Sequence, residues 1–245
     1  MKGSGFRWDF VLRGVMLSAL FLGMAGVAGF LWLRWLSGPP VLVDLLGAQT
    51  LALNHPDKTK GLHFQSSGFF LQVGEGIYAS TAAHSLIDFW GRGMPKMIPV
   101  TLPGDSSPVF QIKTAGGAWG RPRWGRDLRV DYALFVVNQA VDPAWVLQPD
   151  ARGQAKPGER VWLHSGAGDG AEVFGGVVYN VSARAVWVVM DEKFSPWGMS
   201  GSPFISAETA HVVGMAIVTG QQDGRLVIGM HPIGSLVKKI KAAFP

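Results

Sequence analysis

Residues 68–84 have the sequence GFFLQVGEGIYASTAAH. Two short apolar runs, 68–73 and 76–80, are separated by a turn that contains glycine, and the second run leads to His84. Short apolar runs bounded by turn residues are typical of β-strands. This stretch therefore predicts two strands, the second of which ends close to a histidine.

Similar runs recur along the chain beyond about residue 60, with clusters of Gly, Pro, Asp and Ser between them. Many short strands separated by turns are typical of an all-β sandwich or barrel. The segment 102–124 is rich in Gly, Pro and polar residues and is predicted to form loops. Near the C-terminus, Leu236, Val237 and Ile240 have helical spacing and predict a terminal helix with a basic face. The other predicted strands are 109–113, 132–137, 160–164, 172–181, 185–190, 212–218 and 226–230.

The composition excludes several kinds of site. The 245 residues include no cysteine, which rules out a thiolate nucleophile, a disulfide framework and a cysteine-ligated metal. The formal net charge of +5 comes from scattered basic residues, so no nucleic-acid partner is expected. The histidines other than His84 show no ligand pairing at i and i+4, so we expect neither a metal nor another cofactor.

A loose dinucleotide-binding pattern, GAGDGA, occupies 166–171 after the predicted strand 160–164. Such a site needs a helix N-terminus immediately after the glycines to bind phosphate. The following residues, 172–181, are rich in Val and Gly and predict a strand instead. The pattern is therefore interpreted as a hairpin loop.

The N-terminal region contains a candidate membrane span. Twenty consecutive uncharged, mostly apolar residues occupy 14–33, enough to cross about 30 Å of hydrocarbon as a helix. We predict a transmembrane helix over 14–36, because Trp32 and Trp35 lie where aromatic side chains anchor at the membrane interface. The alternative is a cleaved signal peptide with a small-residue cleavage site at 26–28.

The charges around this span predict its orientation. Three basic residues precede it, whereas Arg34 alone lies close behind it. The positive-inside rule then places segment 1–13 in the cytoplasm and everything after the span in the periplasm or the cell exterior. The double proline that follows Gly38 would end the helix, so 37–59 is predicted to be a linker and 60–245 the folded domain.

Three short segments carry candidate catalytic groups: TAAH at 81–84, VDYAL at 130–134 and GMSGSP at 198–203. They supply His84, Asp131 and Ser200, in an order known from one of the convergent serine-hydrolase triads. A serine hydroxyl is a weak nucleophile until a base takes its proton, and an imidazole suits that role at neutral pH. Asp131 would orient the imidazole, and the N–H groups of Gly198 and Ser200 would form an oxyanion hole.

Two of these positions have alternatives nearby. Asp127 could supply the carboxylate, although no apolar strand follows it directly. Ser202 could be the nucleophile, although the glycines at 198 and 201 flank Ser200 instead. The sequence favours Asp131 and Ser200.

These motifs resemble those of the trypsin-like (chymotrypsin-fold) serine proteases, and in texture the HtrA/Deg-like catalytic domains. The similarity covers about 60–245, and no PDZ domain is expected after the terminal helix. The family implies an all-β fold of two six-stranded antiparallel barrels followed by a C-terminal helix, with the active site in the cleft between the barrels. The matching segments are 67–70, 77–84, 130–137, 156–161, 174–178 and 227–233.

The resemblance also implies a primary specificity pocket. Phe194, six residues before the nucleophile, would lie at its base, and Ile217 and Val218 would line its wall. An apolar or small substrate side chain is then expected, and no acidic residue is present at the base to select Lys or Arg. The chain departs from the family pattern at three positions. Met199 stands where the family usually has Asp or Asn, Ser202 where it usually has Gly, and Ile217 where it usually has Ser or Thr.

The predicted function is that of a membrane-anchored serine endopeptidase acting on polypeptides without a cofactor. The main alternative is a catalytically inactive, protease-like module that binds extended peptides at the membrane by strand addition. An esterase with the same catalytic residues is a third hypothesis. The oligomeric state stays open, and a homo-oligomer such as a trimer is one of the alternatives.

Overall fold

A computed structural model of the chain describes residues 50–57, 61–90, 96–122, 127–167 and 172–245. The predicted cytoplasmic segment 1–13, the predicted transmembrane helix 14–36 and most of the predicted linker lie outside these ranges. Among the described residues, none of the helices has the length and apolar character needed to cross a bilayer.

The N-terminal half of the described chain forms an eight-stranded sheet that is almost entirely antiparallel. Its strands are β1 (Leu51–Asp57), β2 (Gly61–Val73), β3 (Gly76–Thr81), β4 (Met97–Thr101), β5 (Phe110–Lys113), β6 (Ala118–Trp119), β7 (Ala133–Val136) and β8 (Val146–Leu147). The order across the sheet is β5–β4–β1–β2–β3–β7–β6, and β8 adds to β2 as a parallel strand. The predicted strands at 68–73 and 76–80 correspond to part of β2 and to β3.

This sheet corrects the prediction of two six-stranded antiparallel barrels. Closure requires the two edge strands to pair with each other, whereas the described sheet ends at β5 on one side and at β6 on the other. β6 has only two residues and directly follows Gly116 and Gly117, in the segment predicted to form loops. The N-terminal half is therefore an open half-barrel.

β1 lies inside the stretch 37–59 that was predicted to be a linker. Leu51 and Leu53 are buried in the same core as Phe70 and Phe135. The strand pairs with β2 on one side and with β4 on the other, so it is an interior strand of the sheet. The folded domain thus begins at or before β1, and residues 51–57 belong to the domain and not to a linker.

The C-terminal half forms a closed barrel of six antiparallel strands. They are β9 (Arg160–Ser165), β10 (Glu172–Val181), β11 (Val186–Met190), β12 (Pro203–Ser206), β13 (Val212–Gln222) and β14 (Arg225–Pro232). Around the barrel they follow the order β10–β11–β14–β13–β12–β9. Five of the six were predicted from the sequence, β10 with the same bounds, and the short strand β12 was not. Because β10 pairs with β9 as a hairpin, no helix follows the GAGDGA pattern.

Two α-helices complete the described fold: α1 (Ala83–Trp90) directly after β3, and α2 (Ile233–Ala243) after β14. The predicted terminal helix is confirmed, since Leu236 and Ile240 of α2 are buried. Its basic face is only partly solvated, because Lys239 Nζ lies 4.4 Å from the centre of the Tyr132 ring. The sequence did not predict α1, which is only eight residues long.

A buried ionic network stabilises the turn region beside the closed barrel. The guanidinium of Arg152 pairs with Asp150 at 2.6 Å and with Glu159 at 2.7 Å. Both carboxylates are buried, and they also accept hydrogen bonds from Thr209 and Ser206, respectively. Burial alone would raise the pKa of Asp150, but the hydrogen bonds from Arg152 and Thr209 outweigh it and lower the pKa to about 2. The pKa of Glu159 is lowered by the same kinds of contact against the same opposing burial.

Replacing Arg152 with Ala is expected to lower the free energy of unfolding at pH 7 by about 3–5 kcal/mol, because two buried carboxylates lose their counter-charge. The carboxylates contribute stability above their unfolded pKa near 4, and this contribution is lost as the pH falls toward their lowered pKa in the folded state, which is about 2 for Asp150. The difference in the free energy of unfolding between wild type and variant, measured by urea unfolding, should therefore become smaller as the pH is lowered from 7 to 3.

Arg160→Ala is the matched control for this prediction. Arg160 pairs with Asp191, and both side chains are more than a third exposed. Such surface pairs contribute about 1 kcal/mol or less. Equal losses of stability in the two variants would contradict the importance assigned to the buried network.

Candidate active site

His84 is the second residue of α1. The preceding Ala82 and Ala83 are small and fully buried, so the helix begins directly against the sheet as the chain leaves β3. The backbone N–H of His84 donates to Asp131 Oδ1 at 3.0 Å. This bond ties the first turn of α1 to the segment that precedes β7.

Asp131 is placed by a short 3-10 helix, Leu128–Val130. Its own N–H donates to the carbonyl of Leu128, and its side chain is only 2% exposed. Oδ2 lies 2.7 Å from His84 Nδ1. One carboxylate therefore binds both the backbone and the imidazole of His84, which fixes the orientation of the ring.

Asp127, the alternative carboxylate, is engaged elsewhere. Its side chain accepts from the backbone N–H of Arg129 and caps the 3-10 helix. It also pairs with the Arg129 guanidinium at 2.8 Å, and this hydrogen bond lowers the pKa of Asp127 to about 2 despite partial burial. The structure thus brings Asp131, and not Asp127, to the imidazole.

Ser200 lies in the loop between β11 and β12, and its Oγ is 2.7 Å from His84 Nε2. The neighbouring Met199 is buried in the core of the closed barrel and anchors the loop there. Gly198 and Gly201 have φ angles of 77° and 88°, a left-handed conformation that favours glycine. The loop therefore presents Ser200 to His84 while the residue before it points into the barrel.

Ser202, the alternative nucleophile, is fully buried. Within the described residues its Oγ has no hydrogen-bond partner. Its backbone N–H donates to Met199 and its carbonyl accepts from Ala216, so its backbone is fixed directly before β12. Ser200, and not Ser202, is the serine in contact with the imidazole.

Ser67 of β2 connects the N-terminal sheet to the Ser200 loop. Its backbone N–H donates to the carbonyls of Gly198 and Ser200, at 3.0 and 3.1 Å. Its Oγ donates to Gly198 and accepts from the backbone N–H of Gly166, and its carbonyl accepts from Thr81 Oγ1. Ser67 lies in the segment 67–70 that resembles a protease motif, but the sequence gives no role to its side chain.

These contacts leave the two candidate oxyanion donors available. Among the described residues, neither the N–H of Gly198 nor that of Ser200 donates to a protein acceptor. The carbonyls of the same two residues are held by Ser67. The loop is thus held in place through its carbonyl groups, and the two N–H groups can donate hydrogen bonds to a ligand.

His231 lies at the end of β14 and packs behind Asp131. Its ring is fully buried and meets the Tyr132 ring edge-on, with centres 6.0 Å apart. Burial, reinforced by the positive charge of Lys239, lowers the pKa of His231 to about 3, so the imidazole is neutral at physiological pH. In the sequence it was one of several histidines without a ligand pattern.

A cavity of about 180 Å³ opens beside Asp131, His84 and Ser200, whose side chains are linked by hydrogen bonds. Ile217 and Val218, two of the residues expected in a specificity pocket, lie along it. Phe194 lines a neighbouring cavity instead, and stacks on Phe174 with ring centres 3.8 Å apart. The residues around the first cavity are His84, Asp131, Pro196, Ser200, Ile217, Val218 and Thr219.

Among the described residues, no three His, Asp or Glu side chains are grouped closely enough to hold a metal ion. No protein-family model matches the chain, and a search of curated proteins finds no significant match. The chemistry open to the site is therefore inferred from its own geometry. Nucleophilic acyl transfer requires a hydroxyl in hydrogen-bond contact with an imidazole, and a carboxylate that orients the imidazole. The site contains all three groups.

Proposed function

We propose that the protein is a serine endopeptidase that uses Ser200 as nucleophile, His84 as general base and acid, and Asp131 as the orienting carboxylate. The observation that carries the proposal is the unbroken chain Asp131 Oδ2···His84 Nδ1 and His84 Nε2···Ser200 Oγ, with 2.7 Å at each contact. Both distances are within hydrogen-bond range before any substrate binds.

In the first step, His84 Nε2 takes the proton of Ser200 as Oγ attacks the carbonyl carbon of the peptide bond. The resulting imidazolium is stabilised by Asp131, whose buried carboxylate already accepts from Nδ1. The imidazolium then gives the proton to the leaving amine, and the C–N bond breaks to leave an ester on Ser200. In the second step, a water molecule gives a proton to His84 Nε2 and attacks the carbonyl carbon of this ester. The bond between that carbon and Ser200 Oγ breaks, the carboxylic acid is released, and His84 returns the proton to Oγ.

The negative charge that develops on the carbonyl oxygen needs donors that are already in position. The N–H groups of Gly198 and Ser200 are the proposed pair, and each such donor is worth about 3 kcal/mol in related hydrolases. The anchoring of this loop by Ser67 supports the proposal, because donors held before the reaction need no reorganisation as the charge forms.

The fold also supports the proposal. One closed barrel, one open half-barrel and a C-terminal helix are compatible with a trypsin-like fold. His84 and Asp131 come from the half-barrel, and Ser200 comes from the closed barrel. The cleft between two sheets is where such proteases hold an extended substrate.

Membrane attachment forms a separate part of the proposal. It is supported by the twenty uncharged residues of 14–33 and by the basic residues in front of them. We propose that 14–36 anchors the enzyme and that the catalytic domain acts in the periplasm or outside the cell. Alkaline carbonate extraction of membranes should then leave the protein in the pellet, whereas release into the supernatant would contradict an anchor.

Labelling with a fluorophosphonate tests the catalytic proposal. The full chain in mild detergent is treated with the probe, digested, and mapped by mass spectrometry. We expect a single modified residue, Ser200, and no labelling of heat-denatured protein. A folded sample that never reacts would contradict the proposal and favour the inactive peptide-binding module. Hydrolysis of simple esters without cleavage of any peptide in a diverse library would favour an esterase.

Gly201→Ala should slow the labelling about 100-fold, because misplacement of a catalytic group by about 1 Å has that effect. An added Cβ would overlap the Ser67 carbonyl and Thr81 Oγ1, and φ is 88°. Gly224→Ala is the matched control, since Gly224 has φ of 72° and no atom within 4 Å of the added Cβ. The control should label at the wild-type rate, and equal effects in both variants would show that backbone strain alone is responsible.

A further inference from the structure

A second cavity lies next to the one at Ser200. It has a volume of about 360 Å³ and shares Pro196 and Thr219 with its neighbour. A substrate whose scissile bond lies at Ser200 would therefore place a nearby side chain in this second cavity. Its lining residues are Lys193, Phe194, Pro196, Thr219, Gly220, Gln221 and Leu226.

The apolar part of this cavity is built into the barrel. Phe194 stacks on Phe174, and both rings pack against the core of the closed barrel. Leu226 packs against the same core and is also partly buried. These side chains can contact the methylene groups of a ligand without having to be ordered first, which lowers the entropic cost of binding.

The polar part consists of an ammonium, an amide and a hydroxyl, from Lys193, Gln221 and Thr219. Lys193 is exposed and takes part in none of the ion pairs among the described residues. The nearby carboxylate of Asp191 is paired with Arg160, at 3.2 Å between Nη1 and Oδ1. No carboxylate is among the described residues that line the cavity.

We propose that this cavity receives an acidic side chain of the polypeptide substrate, and glutamate in preference to aspartate. The inference rests on the proposed function of Ser200. The two methylenes of glutamate can contact the partly buried Phe194 and Leu226, and its carboxylate can accept from the exposed ammonium of Lys193. Aspartate is one methylene shorter and would lose part of this contact.

This specificity differs from the expectation drawn from the sequence, where Phe194 implied a pocket for an apolar or small side chain. The difference comes from Lys193, which the structure places on the same cavity as Phe194. A charged hydrogen bond is stronger than a neutral one, so glutamate should be favoured over the isosteric glutamine. A lysine in the substrate would be repelled by Lys193.

Peptide profiling of the full chain in detergent tests this specificity. A library of peptides with all residues varied is digested, and the cleaved bonds are identified by mass spectrometry. At one position near the cleaved bond, wild type should prefer Glu over Gln by about tenfold and Glu over Lys by more. Lys193→Glu should reverse the preference toward Lys. Lys238→Glu, which makes the same charge change on the exposed face of α2, should leave it intact.

Fluorophosphonate labelling is measured in parallel and separates the two proposals. Wild type and Lys238→Glu should label at similar rates, because Lys238 is exposed on α2 and lines neither cavity. Labelling of wild type without any preference for Glu would overturn this inference and leave the proposed catalytic function standing. A Glu preference that survives Lys193→Glu would also overturn it. Failure of wild type to label or to cleave any peptide would overturn both.

Discussion

Ser200→Ala is expected to lower kcat/KM for peptide hydrolysis about 10⁶-fold, the scale seen when the nucleophile of a comparable triad is removed. The reason is that Ser200 Oγ is the atom in contact with His84 Nε2, at 2.7 Å. Without it, the imidazole has no hydroxyl to activate. The measurement is the rate of cleavage of a peptide chosen from the profiling experiment, with circular dichroism to check the fold.

Ser202→Ala provides the control for this loss. Ser202 lies two residues from Ser200 and is fully buried, and its Oγ has no hydrogen-bond partner among the described residues. Removing this oxygen should leave activity within a few-fold of wild type and should not lower stability, because no hydrogen bond is lost. A large loss in Ser202→Ala together with normal activity in Ser200→Ala would contradict the assignment of the nucleophile.

Asp131→Asn is expected to lower kcat/KM about 10⁴-fold with little change in structure. The amide keeps the shape of the side chain and one oxygen, which can still accept from the backbone N–H of His84. Its NH₂ group would face His84 Nδ1, however, and would stabilise the tautomer in which Nε2 carries the proton. That tautomer cannot accept the proton of Ser200. A loss of less than tenfold would contradict the role of Asp131.

Asp127→Asn tests whether any nearby carboxylate would suffice. Asp127 caps the short 3-10 helix and pairs with Arg129, away from the imidazole. Asparagine is also a good cap residue, so the helix should remain intact. We expect activity within a few-fold of wild type, since the lost ion pair is partly exposed and such pairs contribute little to stability.

Much of the fold could be predicted because its signal is local. The apolar runs that became β3, β9, β10 and β14 lie between turn residues, and this pattern needs no knowledge of the rest of the chain. β1 was missed because its sequence, LALNHPD, contains polar residues and a proline. β12 was missed because it has only four residues and directly follows the Ser200 loop.

Three residues of the candidate site could also be predicted, but from side-chain chemistry and not from a strand pattern. His84, Asp131 and Ser200 were identified from the chemistry of their side chains and the segments around them, and the structure brings the three together. The anchoring role of Ser67 and the burial of His231 could not be predicted. Both depend on contacts with residues far away in the chain, such as Gly198 and Asp131.

The sequence by itself determined the all-β class, most of the strands of the closed barrel and the terminal helix. It also determined the three side chains that are linked by hydrogen bonds, those of Asp131, His84 and Ser200. These features follow from hydrophobic periodicity and side-chain chemistry, which can be evaluated within a few residues. Only the tertiary structure decided that the N-terminal sheet stays open, that Arg152 pairs with two buried carboxylates, and that Lys193 and Phe194 share one cavity. Edge pairing, burial and cavity shape arise from contacts between distant segments, and no local pattern encodes them.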